Sequence, residues 1–205
     1  MTTLAIVDHG AGNLVSIAEA LERTGAVARV VDRPADLAGA DGVVLPGVGS
    51  SGAAMQRLTG AGFTGPLVEL GVPLLGICVG LQLFFDTAEE DETSCLGMIG
   101  GRVERLEGTP RLPHIGWNDL RVLRSDPLLA GLEERPTFYF VHSFAPVPLD
   151  PDAVIAVAEY GASFAAMVRL GSRVGVQFHP ERSGHNGARL LANFVAACKE
   201  ATDAA

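Results

Sequence analysis

Residues 72–82 read VPLLGICVGLQ: an apolar run, then Cys78 between Gly76 and Gly80, then the opening of a helix-like segment. An apolar run on consecutive positions suits a strand covered on both faces. The glycines on either side of Cys78 suit a sharp strand-to-helix turn, where the central residue is forced into a strained backbone conformation. A side chain two positions before or after the turn would collide with neighbouring elements. Such a turn predicts that the following helix aims its amide groups and positive end at the sulfur, with the Val79 N–H as a first oxyanion donor. The bland alternative is a small hydrophobe packed in the core, which is the usual fate of a lone cysteine among apolar residues.

Outward from this turn the same alternation repeats. LAIVD (4–8), VARVVD (27–32) and GVVLPG (42–47) read as strands, and NLVSIAEALERTG (13–25) reads as a helix closed by Gly25. Consecutively apolar strands separated by helices predict an α/β fold, an open, mostly parallel mixed sheet with helices on both faces. After about residue 100 the strands crowd together, at TFYFVHS (137–143), AVIAVAEY (153–160), SFAAMVRL (163–170) and SRVGVQFHP (172–180). Their spacing predicts antiparallel pairing at one side of that sheet. NGARLLANFVAACKE (186–200) closes the chain as an amphipathic helix.

The 205 residues, 48% hydrophobic, fit a single domain spanning 1–205. No apolar stretch approaches the roughly 20 residues needed to span a bilayer, and the N-terminus lacks a basic segment before a long apolar one. Cys78, Cys95 and Cys198 have no metal-ligand spacing and cannot all pair, which favours a reducing, cytoplasmic setting. A net charge of −9 disfavours nucleic acid and anionic membranes as partners. Small molecules or a protein partner suit it better. AEEDE (88–92) is most simply a solvated loop.

Ligands gather at the carboxyl ends of strands in open α/β sheets. DHGAGN (8–13), PGVG (46–49), Cys78 and HPE (179–181) all fall there. His179 could take the thiol proton and later protonate a leaving amine. Glu181, two residues on, could orient it, since alternation along an extended segment puts both on one side. Each taken alone is weak: a lone histidine is usually structural and a lone glutamate a surface charge. Gly47 and Gly49 let the backbone approach a ligand and let the Gly47–Val48 peptide rotate, so the Val48 N–H could complete a two-donor oxyanion hole with Val79. These features alone admit a thiol hydrolase or acyltransferase. They also admit a redox-sensing or scaffold protein that uses Cys78 as an oxidisable thiol.

The combination G-x-C-x-G, then a distant H-P-E, resembles the class I, triad-type glutamine amidotransferases. Within them, DHGAGNLVSI, LPGVGS, GICVGLQLFF, PHIGWN, YFVHSF and GVQFHPERSG resemble the glutaminase subunits of imidazole glycerol phosphate synthases, nearly end to end. The resemblance implies glutamine as substrate, a Cys78-His179-Glu181 triad, and a (β/α)8 cyclase subunit as heterodimer partner that receives the ammonia. It implies no cofactor and no metal. It places Gln82 and Glu90 at the amino-acid end of glutamine, with Glu89 as a rival for Glu90, and gives Ser143 and Phe144 backbone that lines the pocket. Asn13, Pro113, His114, Gly116, Trp117, Asn118 and Arg182 match interface positions. His9 departs from a tyrosine common among relatives, and Arg182 from a lysine; Arg keeps the charge but alters hydrogen-bond geometry.

Overall fold

The computed structural model describes residues 1–10, 12–109 and 111–204; Ala11, inside the DHGAGN segment, lies outside them. The first half alternates as its apolar runs demand: β1 (Thr3–Val7), α1 (Leu14–Glu22), β2 (Val27–Val31), β3 (Gly42–Leu45), α2 (Ser51–Gly60), α3 (Thr64–Val68) and β4 (Leu74–Ile77). Helix α1 starts where the Asn13 side chain accepts from the Ser16 N–H, and it buries Ile17, Ala20 and Leu21. Gly25, at φ 88°, lets the chain turn back into β2. After Cys78 come a single helical turn, α4 (Val79–Gln82), then the short strands β5 (Thr87–Ala88) and β6 (Thr93–Ser94). The second half adds β7 (Gly101–Arg105), β8 (His114–Asp119), β9 (Arg121–Val122), β10 (Thr137–His142) and β11 (Phe144–Pro148). It ends with β12 (Val154–Tyr160), β13 (Ala162–Leu170), β14 (Arg173–Val176) and α5 (Gly184–Asp203).

The main sheet runs β2-β1-β3-β4-β14-β13-β12-β9. Its strands are parallel from β2 through β14 and antiparallel from there to β9. β3 and β4 are buried at every position, as their unbroken apolar runs require. β2 is not: as the edge strand it leaves Val27 and Val30 well exposed, so an apolar run there does not mean two covered faces. TFYFVHS also departs from expectation. It forms β10, which pairs with β8 in a separate two-stranded ribbon, from Thr137↔Asp119 to His142↔His114. A third sheet has the order β11-β7-β5-β6.

Period-2 alternation splits the ribbon cleanly. His114, Phe138, Phe140 and His142 turn inward, while Ile115 and Trp117 face outward. The inward aromatic residues join the core beneath the end of β14, where Phe138 stacks on Phe178 with ring centroids 4.0 Å apart. Helix α5 buries Leu190, Leu191 and Phe194, and farther along packs Cys198 against Gly42 at the start of β3. Each such fully buried side chain contributes about 1.5–3 kcal/mol of transfer free energy. The core thus reaches directly under the strand ends that carry the loops of interest. Among the described residues, no helix is long and apolar enough to cross a membrane.

Candidate active site

Cys78 sits at φ 54°, ψ −109°, a region that L side chains rarely adopt, between the end of β4 and the start of α4. Close packing keeps it there. A Cβ on Gly80 would run into the Leu45 carbonyl, and one on Gly47 would lie 2.8 Å from the Gly80 nitrogen, so the end of β3 is pressed against the turn. Cys78 itself is 3% exposed. The helix expected after it is only four residues long, so its dipole is a minor term. What remains is the unsatisfied N–H of its first turn, Val79 included.

His179 follows β14, its backbone N–H donating to the Tyr139 carbonyl at 2.9 Å. Its Nδ1 lies 2.9 Å from Glu181 Oε1, and both side chains are about 5% exposed. The two meet through the short 3-10 turn Pro180–Arg182, not by alternation along an extended segment. Burial opposes an imidazolium here, but hydrogen bonding and charge from Cys78 and Glu181 outweigh it and push His179 up to about 10. His179 Nε2 makes no hydrogen bond, and the Cys78 sulfur lies 3.9 Å from the Val141 carbonyl and 3.6 Å from Gln177 Nε2.

A cavity of about 370 Å³ opens over the sulfur. Val48, Gly49, Cys78 and Val79 form one wall; Gln82, Glu90, Ser143 and Phe144 form others, and Pro113 and Arg182 stand at its border. Gly47 lies behind the wall, beside a crevice shared with Asn13, His179 and Glu181. His9 Nε2 is 2.7 Å from the Pro46 carbonyl, holding the entry to PGVG in place.

Gln82 is not on a solvated helix face: it is 3% exposed, and its Nε2 donates to Phe144 O at 3.0 Å and to Gln177 Oε1 at 3.2 Å. Glu90 is not part of a plain solvated loop either. Its Oε2 accepts from the Ser51 N–H at 3.0 Å, and burial raises its carboxyl, with the Ser51 bond opposing and Asp91 adding. Glu89 points elsewhere, to the Arg105 N–H at 2.8 Å, and does not line the cavity.

The outer positions divide. Trp117 is 59% exposed and meets Tyr139 edge-on at 5.9 Å, while the Arg182 guanidinium sits 5.3 Å over the same Tyr139 ring. Asn13 is exposed, Gly116 is half-buried, and Asn118 donates to the Glu159 carbonyl at 2.9 Å. His114 departs from its expected surface place. It is 3% exposed and stacked on Tyr160 at 4.0 Å, because even positions of β8 face inward. Gln177 and His142, both buried, escaped the sequence analysis; their signal was a polar side chain at or just past the end of a largely apolar strand, His142 closing β10 and Gln177 following β14. Among the described residues no cluster of His, Cys, Asp or Glu is placed to hold a metal ion.

Residues 5–198 match the class-I glutamine amidotransferase family. The chain is 50% identical over 197 residues to the imidazole glycerol phosphate synthase subunit HisH of Xylella fastidiosa, covering 95% of this chain and 98% of that protein. It is also 50% identical over 199 residues to the HisH subunit of Xanthomonas campestris pv. campestris, with the same coverage. A solved glutamine amidotransferase structure superposes with a TM-score of 0.75 at 23% identity, over 95% of this chain and 98% of that one, which supports the fold. Identity of this extent over nearly the whole length leaves one conclusion: the chain belongs to the class-I glutamine amidotransferases, among their imidazole glycerol phosphate synthase HisH subunits.

Proposed function

We propose that the chain is the glutaminase subunit of an imidazole glycerol phosphate synthase, a single cytoplasmic domain over residues 1–205 working as a heterodimer with a (β/α)8 cyclase subunit. The observation that carries this is the strained, buried Cys78 with the His179–Glu181 pair beside a cavity whose border reaches Pro113 and Arg182. Glutamine enters with its amide over the sulfur. Gln82, Glu90 and the backbone at Ser143 and Phe144 hold its amino-acid end, with Gly49 giving the amide room and Gly47 letting the loop pack against Gly80 behind it.

His179 takes the thiol proton, and the sulfur attacks the amide carbon. The N–H groups of Val48 and Val79 receive the developing oxyanion, a contribution of about 3–4 kcal/mol per donor in such sites. Collapse breaks the C–N bond as His179 protonates the nitrogen, releasing ammonia and leaving a glutamyl thioester on Cys78. Water, deprotonated by His179, then attacks the thioester to give glutamate and the free thiol. Glu181 keeps the imidazole oriented and stabilises its charged form. Asn13, Pro113, His114, Gly116, Trp117, Asn118 and Arg182 form the face toward the cyclase, His114 from beneath. Ammonia passes across that face, and the cyclase makes imidazole glycerol phosphate and aminoimidazole carboxamide ribonucleotide in histidine biosynthesis.

The chain purified with its co-expressed cyclase provides the test. Cys78→Ala is expected to abolish glutamine-dependent product formation while leaving synthesis from added ammonia intact. Glutamine-dependent turnover by the Cys78→Ala complex would overturn the assignment.

A further inference from the structure

A buried polar chain runs from β8 to the sulfur, and of its side chains the steps above use only Gln82. The His142 Nδ1 lies 2.9 Å from the Phe144 carbonyl, which can only accept, so Nδ1 carries the proton and Nε2 is bare. His114 Nδ1, 3.3 Å from that bare nitrogen, is therefore the donor. Phe144 O accepts a second bond from Gln82 Nε2, whose other N–H reaches Gln177 Oε1. The Gln177 amide is left with only one orientation, its Nε2 directed at the Cys78 sulfur 3.6 Å away. Reversing Gln82 would set acceptor against acceptor at Phe144 O, and reversing Gln177 would set its Nε2 against the Gln82 Nε2, donor against donor, so every polarity in the chain is fixed by its neighbours.

The members are desolvated as well as ordered. Gln177 is 0% exposed, Gln82 and His114 3%, and His142 6%; Gln177, which does not line the cavity, cannot exchange a lost partner for water. Burial lowers His114 and, with its neighbouring histidines, takes His142 down to about 3, which keeps both rings neutral and the donor sequence intact.

We propose that Gln177 is a positioning residue that holds the Cys78 sulfur through its N–H, and that Gln82 and His142 fix Gln177 in turn. This deepens the glutaminase assignment, since the sulfur it holds is the nucleophile of that reaction. An N–H directed at sulfur favours the anion over the thiol. A bond to a charged group changes such an equilibrium by about 10- to 100-fold. A more basic thiolate is intrinsically more nucleophilic, which returns about half of that on the logarithmic scale and leaves a net effect of about 3- to 10-fold in sulfur reactivity.

Site-resolved alkylation by iodoacetamide at neutral pH, read by peptide mass spectrometry, tests the proposal without glutamine. Cys95, half-buried and outside the chain of bonds, serves as the internal control for folding. Gln177→Leu, of similar volume, is expected to slow alkylation of Cys78 about 3- to 10-fold and leave Cys95 unchanged. His142→Phe is expected to slow it less, with His142→Asn restoring the rate because its amide can still donate to Phe144 O. The double variant Gln177→Leu/His142→Phe should be no slower than Gln177→Leu alone, since the two act in series. In steady-state glutaminase assays of the complex, Gln177→Leu should lower kcat with KM within about twofold.

An unchanged Cys78 rate in Gln177→Leu, or multiplied losses in the double variant, would overturn the proposal. Should Gln177→Leu disturb Cys95, Gln177→Met replaces it in the same assay, judged by the same outcomes. A wild type that ignores glutamine would refute the glutaminase assignment, while the alkylation result would still decide the role of Gln177.

Discussion

The turn at Cys78 and the β8–β10 ribbon lie beside the same cavity, yet they are built on opposite principles. At the turn, backbone meets backbone: Gly80 against the Leu45 carbonyl, Gly47 against Gly80, and a cysteine held at positive φ. The ribbon shares its residues between two environments, burying His114 and His142 while presenting Ile115 and Trp117 to solvent at about 60% exposure. The difference suits what each does in the proposed function. Covalent chemistry needs a sulfur fixed to within a fraction of an ångström, which only close-packed main chain supplies. Recognition of another protein needs side chains that are free until it arrives, and a strand's alternation provides them on one face while anchoring the other.

The sharpest way to break this comparison is Gly80→Ala. With the new methyl directed at the Leu45 carbonyl, the loss of stability is expected to be about 3 kcal/mol or more, measured by urea denaturation. A loss below about 1 kcal/mol would mean that the turn is not locked by main-chain contact.

A second measurement concerns the inner face of the ribbon. His142 is held down to about 3, below its ordinary 6.5, chiefly by burial. Between those values the unfolded chain binds the extra proton and the folded chain does not. Stability from this group is therefore complete above about pH 6.5 and falls with pH, by about 2 kcal/mol at pH 5. His142→Phe should flatten that acid slope in urea titrations repeated at each pH; an unaltered slope would remove His142 as its source.

The outer face should cost the chain least. Trp117→Ala is expected to change stability by no more than about 0.5 kcal/mol, yet weaken association with the cyclase by about 2 kcal/mol, roughly 30-fold in Kd. Fluorescence of this single tryptophan should change as the cyclase is added, giving the binding curve. An affinity unaffected by the substitution would place the contact elsewhere.

Much of the site was legible because glycine, proline and cysteine carry their meaning locally. The Gly76-to-Gly80 spacing announced a turn, and His179 with Glu181 announced a base and its orienter, even though a 3-10 turn and not an extended strand brings them together. The parallel half of the sheet followed from runs such as Gly42–Leu45 and Leu74–Ile77. Partners far apart in sequence were not legible. Alternation in TFYFVHS says which residues share a face, but only the fold says that the face pairs with β8 and covers Phe178. Gln177 and His142 sit at or just past the ends of β14 and β10, and their bonds to Gln82, Cys78 and His114 cross gaps in sequence that no local pattern spans. The resemblance put His114 among the interface positions with its neighbours, where its parity within β8 turns it in.

The imidazole of His9 on the Pro46 carbonyl has a mechanical corollary. With that carbonyl moored, and Gly47 wedged against Gly80, the rotation expected of the Gly47–Val48 peptide would be confined to the loop from that peptide onward. Reorienting the Val48 N–H would then need only the peptide planes on either side of a half-exposed Val48. Ordering so short a lever costs about 1–2 kcal/mol per residue, little enough for a modest number of contacts made by a docking subunit to set its angle.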